Sequence, residues 1–180
     1  VANLSPTYVV GGKVLSTDEN SDLGEGTYLV AEADESDGTF THLQPDVAVL
    51  TNIDDDHLAH YDNIFENLLD SFVMFCENVP FYGYLLINGD DKNIKKIAKR
   101  ISRTQITFGM SKNVNYQIIN IKPKNGKQNF EIYDKKNNKK YKFKLNLPGT
   151  HNVFNAAASI GVALEEGISI GAIKKGDEVI

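Results

Sequence analysis

Residues 28–38 read Tyr-Leu-Val-Ala-Glu-Ala-Asp-Glu-Ser-Asp-Gly, an apolar strand that ends in a cluster of acids. Residues 47–57 repeat the pattern, because Val-Ala-Val-Leu-Thr-Asn is followed by Ile-Asp-Asp-Asp-His. Both apolar runs are continuous, which is typical of parallel strands that are buried on both faces. Two such strands ending at one edge of a sheet would gather several carboxylates, whose repulsion a cation must offset. The pattern therefore predicts a site for a divalent metal ion and a phosphate group at that edge.

The rest of the first hundred residues alternates helical and extended patterns. A helix is predicted over about residues 64–77, where apolar side chains recur three and four positions apart. A strand is predicted at residues 84–88, and a short helix with isoleucines on one face follows the turn at Gly89. This alternation predicts an α/β fold in which a mostly parallel sheet is flanked by helices.

The pattern changes after about residue 105, where apolar and polar residues begin to alternate. The alternating segments are residues 116–121, 129–133 and 141–147. They predict a small antiparallel β meander with one solvent-exposed face over about residues 112–148. We expect this meander to be a satellite of the main domain, since so few strands are not stable alone. A last helix is predicted over residues 152–166, closed by Gly167.

Composition limits the classes of partner. The chain has 180 residues and a formal net charge of −5, which argues against nucleic acid or an anionic membrane as the main partner. The basic stretch at residues 135–140 lies in a predicted hairpin turn and is interpreted as a solvated turn. A single cysteine, Cys76, cannot form an internal disulfide, and no apolar run approaches the roughly 20 residues of a membrane span. We expect a cytoplasmic protein with no nucleic-acid or membrane partner.

Four short motifs occur in order along the chain. They are residues 32–38, 42–45, 51–57 and 148–158. Together they resemble the central, ATP-binding domain of the Mur ligases, which has a P-loop NTPase-like fold. The segment Asn-Val-Pro-Phe-Tyr-Gly at residues 78–83 is most similar to the alanine-adding members of that family. The resemblance implies one domain over residues 1–175, whereas residues 176–180 depart from the family pattern and are assigned no clear origin.

The resemblance implies ATP-dependent ligation in peptidoglycan synthesis. In the family, ATP phosphorylates the carboxylate of UDP-N-acetylmuramate, and the amine of L-alanine then attacks the acyl phosphate. The activation is needed because a carboxylate is a poor electrophile at neutral pH. ATP and Mg²⁺ are the expected cofactors, with the metal neutralising charge on the transferred phosphoryl group.

Two residues match the family's metal-binding and catalytic positions. Glu32 matches the glutamate that binds Mg²⁺ near the ATP phosphates, and His57 matches the histidine that binds a second Mg²⁺. Other interpretations stay open for both. Glu32 is also explained as a strand-end acid that backbone donors or a lysine satisfy. His57 is also explained as a histidine with a local hydrogen bond at a helix entry, since Mg²⁺ prefers oxygen ligands.

Further candidates flank this pair of residues. The predicted substrate-binding residues are Asp34, Glu35, Ser36, Asp37, His42 and Gln44. The first four would lie beside the metal, although such a loop also forms when short polar side chains bond their own backbone amides. His42 and Gln44 resemble a substrate-side segment of the family.

The start of the last helix supplies the candidates for adenine binding, His151, Asn152 and Asn155. The two asparagines are three positions apart and therefore share a helix face. Amide side chains suit an adenine edge because each offers a donor and an acceptor. The alternative is an ordinary N-cap formed by Thr150 or Asn152.

The main departure from the family is a missing motif, since the chain contains no Gly-Lys-Ser or Gly-Lys-Thr. We expect the glycine-rich phosphate loop upstream of Val1, and the family's amino-terminal and carboxy-terminal domains outside this chain. The fragment should then be inactive alone. Alternatives are a non-catalytic nucleotide- or metal-binding fragment, a murein peptide ligase, a folylpolyglutamate synthase, or a metal-dependent phosphohydrolase built on the Asp56-His57 pair.

Overall fold

The described part of the chain contains nine strands and four α-helices. The structure is a computed structural model that describes residues 3–14, 17–56 and 58–177. The strands are β1 (Thr7–Val14), β2 (Glu19–Asp22), β3 (Leu29–Ala31), β4 (Val47–Leu50), β5 (Tyr84–Asn88), β6 (Gln105–Gly109), β7 (Tyr116–Lys124), β8 (Lys127–Asp134) and β9 (Lys139–Leu145). The helices are α1 (Phe65–Glu77), α2 (Lys92–Ala98), α3 (Thr150–Glu165) and α4 (Ile170–Asp177). Short 3₁₀ turns occupy Thr39–His42 and Leu58–Tyr61.

The larger sheet has six strands in the order β4-β5-β6-β7-β8-β9. The strands from β4 to β7 pair in parallel, and β7, β8 and β9 form the antiparallel meander. The predicted α/β class, with a mostly parallel sheet and a meander, is confirmed. The prediction of a satellite is wrong in one respect, because β6 was not predicted and joins the meander to the parallel strands as one continuous sheet.

The smaller sheet has the order β2-β1-β3, with β1 and β3 parallel. The expectation that the strand before Glu32 is buried on both faces is wrong for the described residues. Leu29 is 66% exposed and Val30 is 52% exposed. The physical reason is that β3 is a sheet edge that pairs with β1 alone.

Helices cover both faces of the larger sheet, and each face has its own core. Helices α1 and α2 pack on one side, with Leu85 of β5 among the buried residues. Helices α3 and α4 pack on the other side, where Leu86 is buried. Neighbouring residues of one strand thus point to opposite cores, as strand geometry requires. Cys76 lies in the first core, and burial raises the pKa of its thiol to about 12, which makes it a structural residue.

Helix α3 runs antiparallel to the parallel strands, and this direction fixes the position of its first turn. Near its end, the Glu166 carboxylate accepts hydrogen bonds from Tyr28 at 2.8 Å and Tyr84 at 3.0 Å, just before β3 and at the start of β5. Near its start, the ring of Phe154 packs against that of Phe108 late in β6, with centroids 6.4 Å apart. Helix α3 therefore begins at the carboxyl edge of the parallel strands.

None of the helices in the described part of the chain combines the length and the apolar character needed to span a bilayer.

Candidate functional site

Two polar loops meet at the carboxyl edge of the strands. One follows β3 over residues 32–38, and the other follows β4 over residues 51–56. The hydroxyl of Tyr61, in the 3₁₀ turn after the second loop, donates a hydrogen bond to the backbone carbonyl of Glu35 in the first. Tyr61 is 5% exposed, so this contact ties the loops together from the inside. The predicted approach of the two loops is confirmed, but the expectation of one shared sheet is wrong, because β3 and β4 belong to different sheets in the described structure.

Glu32 is held by the backbone of β1. Its amide donates to the carbonyl of Val9 at 2.9 Å, and its Oε2 accepts from the amide of Gly11 at 2.6 Å. A Cβ at position 11 would lie 3.2 Å from that oxygen, so glycine permits the close approach. The alternative that backbone donors satisfy Glu32 is therefore correct for one carboxylate oxygen, Oε2. Since a carboxylate has about four acceptor sites, the bond is compatible with a metal ion or water on the same group.

The second predicted metal ligand, His57, lies outside the described residues. In the ranges that the structure describes, no three His, Cys, Asp or Glu side chains are grouped closely enough to hold a metal ion. Mg²⁺ does not require such a group, because it is commonly held by one or two carboxylates together with waters and substrate phosphates. The exposed Glu32 carboxylate fits that donor chemistry, and the two-ion site stays a prediction.

The loop from residue 34 to residue 37 is shaped by bonds to its own backbone. Asp34 Oδ1 accepts from the amide of Ser36 at 2.8 Å. Asp37 Oδ1 accepts from the hydroxyl of Thr39 at 2.6 Å and from its amide at 2.9 Å. These bonds, led by the one from the hydroxyl, lower the pKa of the Asp37 carboxyl below its ordinary value. The capped-loop interpretation is confirmed for both aspartates, whereas contact of residues 34–37 with metal or substrate stays a prediction.

His60 lies against the acidic loop, which the sequence analysis did not anticipate. Gly38 has a φ of 75°, and a Cβ there would lie 2.5 Å from His60 Nε2. The imidazole also meets the ring of Tyr61 edge-on at 5.1 Å, and its charge adds to the lowering of the Asp37 pKa. The sequence offers one signal for His60, because it lies three residues after His57 and close to the acidic cluster. That spacing does not predict the contact of His60 with Gly38.

His42 and Gln44 lie away from the acidic loop. The side-chain amide of Asn78, at the end of α1, donates to the carbonyls of Thr41 at 2.6 Å and Leu43 at 2.9 Å. Helix α1 leaves the carboxyl edge after β4 and ends before β5, so Asn78 marks the amino edge of the sheet. The structure thus separates His42 and Gln44 from residues 32–37, and their substrate-binding role stays a prediction.

The first turn of α3 carries the candidates for adenine binding. Its N-cap is Gly149, with a φ of 95° and no side-chain hydrogen bond. The alternative of a cap from Thr150 or Asn152 is wrong, because Asn152 Nδ2 instead donates to the carbonyl of Pro148 at 2.7 Å. His151 and Asn155 are exposed. All three candidates lie at the same edge of the sheet as the acidic loops, on the side that α3 covers.

Comparison with known proteins assigns this arrangement to a family. The Mur ligase middle domain profile matches residues 13–163. The chain belongs to the Mur ligase family. The UDP-N-acetylmuramate–L-alanine ligases of Ruthia magnifica and Vesicomyosocius okutanii are 43% and 45% identical to it over 175 residues. These alignments cover 97% of this chain and 37% of each relative, so the chain spans little more than a third of their length.

Solved Mur ligase structures have the same fold. The UDP-N-acetylmuramate–alanine ligase of Thermotoga maritima superposes with a TM-score of 0.82 at 26% identity, covering 97% of this chain and 38% of that one. The MurF ligase of Thermotoga maritima, solved in complex with ADP, gives a TM-score of 0.73 at 21% identity. It covers 96% of this chain and 42% of that one, and at this identity the likeness concerns the fold alone.

Proposed function

We propose that the chain is the ATP-binding middle domain of a cytoplasmic UDP-N-acetylmuramate–L-alanine ligase of peptidoglycan synthesis. The observation that carries the proposal is the identity of 43% and 45% to two proteins of that name, over 97% of the chain. In the proposed reaction, the γ-phosphoryl group of ATP moves to a carboxylate oxygen of UDP-N-acetylmuramate and ADP leaves. The amine of L-alanine then forms the amide bond as the bond from the acyl carbon to the phosphate oxygen breaks, releasing phosphate and a proton.

The carboxyl edge of the sheet is the proposed ATP site. In open α/β sheets, ligands bind outside the carboxyl ends of the strands. The acidic loop after β3 is assigned to the phosphate end, and Asn152 and Asn155 at the start of α3 to the adenine end. The direction of α3 supports this assignment, because Phe154 packs beside the last residues of β6. His151 is assigned to the same nucleotide pocket.

Glu32 is the residue proposed to hold Mg²⁺, with His57 as the candidate for a second ion. A bound Mg²⁺ neutralises negative charge on the phosphoryl oxygens. The hydrogen bond from Gly11 orients the Glu32 carboxylate, since it fixes one oxygen at 2.6 Å from a rigid backbone amide. The self-bonded aspartates Asp34 and Asp37 keep the loop in shape beside it.

Two open strand edges support the expected phosphate loop of the full-length protein. Strands β3 and β4 are each the last strand of a sheet. They run in the same direction, because their starts and their ends both lie close together. Tyr28 before β3 and Tyr84 at the start of β5 share the Glu166 carboxylate, and β4 is parallel to β5. Past the ends of β3 and β4, Tyr61 contacts Glu35. Leu29 and Val30 are largely exposed, and Val49 of β4 is 42% exposed. We infer that a further parallel strand, carrying the glycine-rich loop, pairs between β3 and β4 and covers these side chains.

The full-length protein should release ADP only when ATP, UDP-N-acetylmuramate and L-alanine are all present. Omitting either co-substrate should lower the rate of ADP release by at least about 100-fold. Without UDP-N-acetylmuramate the phosphoryl group has no acceptor, and without L-alanine the acyl phosphate is not consumed. A coupled ADP assay with each substrate omitted in turn measures this. Phosphate release from ATP alone would instead indicate a phosphohydrolase. Nucleotide binding without turnover would indicate a binding domain, and a preference for L-alanyl-γ-D-glutamyl-meso-diaminopimelate over L-alanine would indicate a murein peptide ligase.

A further inference from the structure

Positive charge is concentrated in the meander. The whole chain has 19 basic and 24 acidic residues. Residues 112–147 contain ten of the basic residues, all lysines, and two of the acidic ones. The rest of the chain is therefore strongly acidic, and the net charge of −5 conceals a molecule with one strongly basic part.

Strand register places most of these lysines on one face. Residues of β8 alternate between buried and half-buried, with Phe130 and Ile132 buried against α3. Cross-strand partners share a face, so the partners of Asn129, Glu131 and Tyr133 point away from that core. The lysines on this outer face are Lys122, Lys124, Lys127, Lys140, Lys142 and Lys144. These six residues are called the lysine face, and Glu131 is the acid among them.

The charges of the lysine face are not neutralised within the described residues. The ion pairs of the described residues involve basic residues outside the lysine face, among them Lys96, Arg100 and Lys136. Lys142 stands opposite Glu131 across β8 and β9, yet the two form no ion pair in the described structure. Glu131 accepts a hydrogen bond from Asn120 Nδ2 at 3.1 Å instead. Lys124 and Lys127 stand directly opposite each other, and like charges in this position are destabilising, so an anionic partner would relieve that repulsion.

Protection of a sheet edge is an alternative explanation for the lysine face. Lysines on an outermost strand hinder pairing with another chain, and β9 is such a strand. Lys140, Lys142 and Lys144 fit that explanation. Lys122 and Lys124 lie on β7 beyond Tyr116 and Gln117, the residues that pair with β6, so this part of β7 also has one open edge. Lys127 follows the tight turn between β7 and β8. Edge protection does not require all six lysines to share one face of the sheet, and that arrangement is what a role on the face explains.

Helix α2 adds lysines on the same side of the sheet. Gln105 of β6 points toward α2, because its Nε2 donates to the carbonyl of Ala98 at 3.0 Å. The opposite side of β6 and β7 packs on the core beneath α3. Lys92 and Lys95 of α2, together with Lys99 at its C-cap, line a groove of about 640 Å³ over β5 and β6. Helix α2 therefore adds positive charge on the same side of the sheet as the lysine face.

We propose that the lysine face is a docking surface for the phosphate headgroups of an anionic lipid bilayer. Clusters of four to eight basic residues bind anionic membranes, with each lysine contributing independently of sequence-specific contacts. The overall negative charge does not prevent this, because salt screens charges beyond about 8 Å. The proposal revises the sequence-based expectation of no membrane partner, which rested on net charge. It is independent of the proposed ligase function.

The chemistry of the face favours a lipid surface over nucleic acid. Residues 112–147 contain no arginine, which is the preferred basic residue for nucleic-acid recognition. The aromatic side chain on the outer face, Tyr133, is already engaged. Lys140 Nζ lies 5.6 Å from its ring centroid, and its hydroxyl bonds Asn138 Oδ1 at 2.7 Å. Single-stranded nucleic acids are held by free aromatic platforms, which this face lacks in the described structure.

Vesicle co-sedimentation of the full-length protein tests the proposal. Wild-type protein should bind vesicles of phosphatidylcholine and phosphatidylglycerol at about 50 mM salt, release at about 500 mM, and ignore pure phosphatidylcholine. The triple variant Lys140→Glu, Lys142→Glu and Lys144→Glu should bind at least about 100-fold more weakly. The variant Glu131→Gln should bind more tightly, because it removes the acid of the face and keeps an acceptor for Asn120.

A matched control distinguishes the effect of charge on the lysine face from the effect of the net charge of the protein. The variant Lys13→Glu, Lys174→Glu and Lys175→Glu makes the same change in net charge at exposed positions off the lysine face. It should bind vesicles within about threefold of wild type. Equal losses in the two triple variants would overturn the proposal, as would wild-type protein that fails to bind the anionic vesicles. Tighter binding to single-stranded DNA than to the vesicles would also overturn it. A thermal melt of each variant confirms that it is folded.

Discussion

Replacing Glu32 by glutamine should abolish most of the ligase activity of the full-length protein while leaving it folded. The amide oxygen of Glu32→Gln can still accept the hydrogen bond from Gly11, so the local structure should persist. The variant lacks the negative charge that the proposed Mg²⁺ requires. Loss of one electrostatic contact to the transferring phosphoryl group costs about 100- to 1,000-fold in comparable sites, and we expect kcat/KM to fall in this range.

The control for this experiment is Glu25→Gln, which makes the same chemical change at an exposed position. Its activity should stay within about twofold of wild type, as expected for a surface substitution. Thermal melts of both variants should match that of the wild type. Full activity in Glu32→Gln would remove Glu32 from the proposed metal site, whereas a large drop in melting temperature would mean that the carboxylate is structural.

Of the substitutions proposed, Phe108→Ala should lower the free energy of unfolding most. Phe108 is 0% exposed, lies late in β6, and packs against Phe154 in the first turns of α3. A Phe→Ala change in a core removes apolar burial and leaves a cavity, at a cost of about 3–5 kcal/mol. That is a large part of the roughly 5–15 kcal/mol by which a domain is stable. Denaturant unfolding of the variant Phe108→Ala measures the difference.

Phe81→Ala is the matched control, because Phe81 is 86% exposed. Its free energy of unfolding should change by less than about 0.5 kcal/mol. A cost below about 1 kcal/mol for Phe108→Ala would contradict the packing of α3 on the end of β6, and with it the position assigned to the adenine candidates.

The helical and strand patterns with strong local signals were predictable from sequence. Helix α1 was predicted within one residue, since its apolar residues keep a helical period and Pro80 and Gly83 end it. Strand β5 was predicted at its observed bounds, because it is a short apolar run between glycine turns. These elements carry their own information in the period of their side chains.

The missed strands lack such local signals. Strand β1 contains the Gly11-Gly12 pair, and glycine weakens a strand pattern. Strand β2 is Glu-Asn-Ser-Asp, with no apolar residue, and forms by pairing with β1. Strand β6 is five residues long and carries Gln105 and Thr107 toward the α2 side. Strands β1 and β6 pair with β3 and β5, about 20 residues away, and β2 has no side-chain pattern of its own, so local reasoning could not place them.

The candidate site was predictable in outline and not in its contacts. The rule that parallel strands end at one edge of a sheet correctly predicts that the two acidic loops lie close together. The bond from Gly11 to Glu32 spans 21 residues, and the contact of Tyr61 with Glu35 spans 26. The approach of His60 to Gly38 depends on a positive φ that the sequence does not reveal. These contacts follow from tertiary packing, which residue spacing does not determine.

The most direct test of the proposed ATP site is a crystal structure of the full-length protein with a non-hydrolysable ATP analogue and Mg²⁺. We predict a Mg²⁺ ion at about 2.1 Å from a Glu32 carboxylate oxygen, beside the nucleotide phosphates. The adenine should contact the side chain of Asn152 or Asn155. A nucleotide bound at the amino edge of the sheet, or a metal–phosphate centre that Glu32 does not touch, would contradict the account.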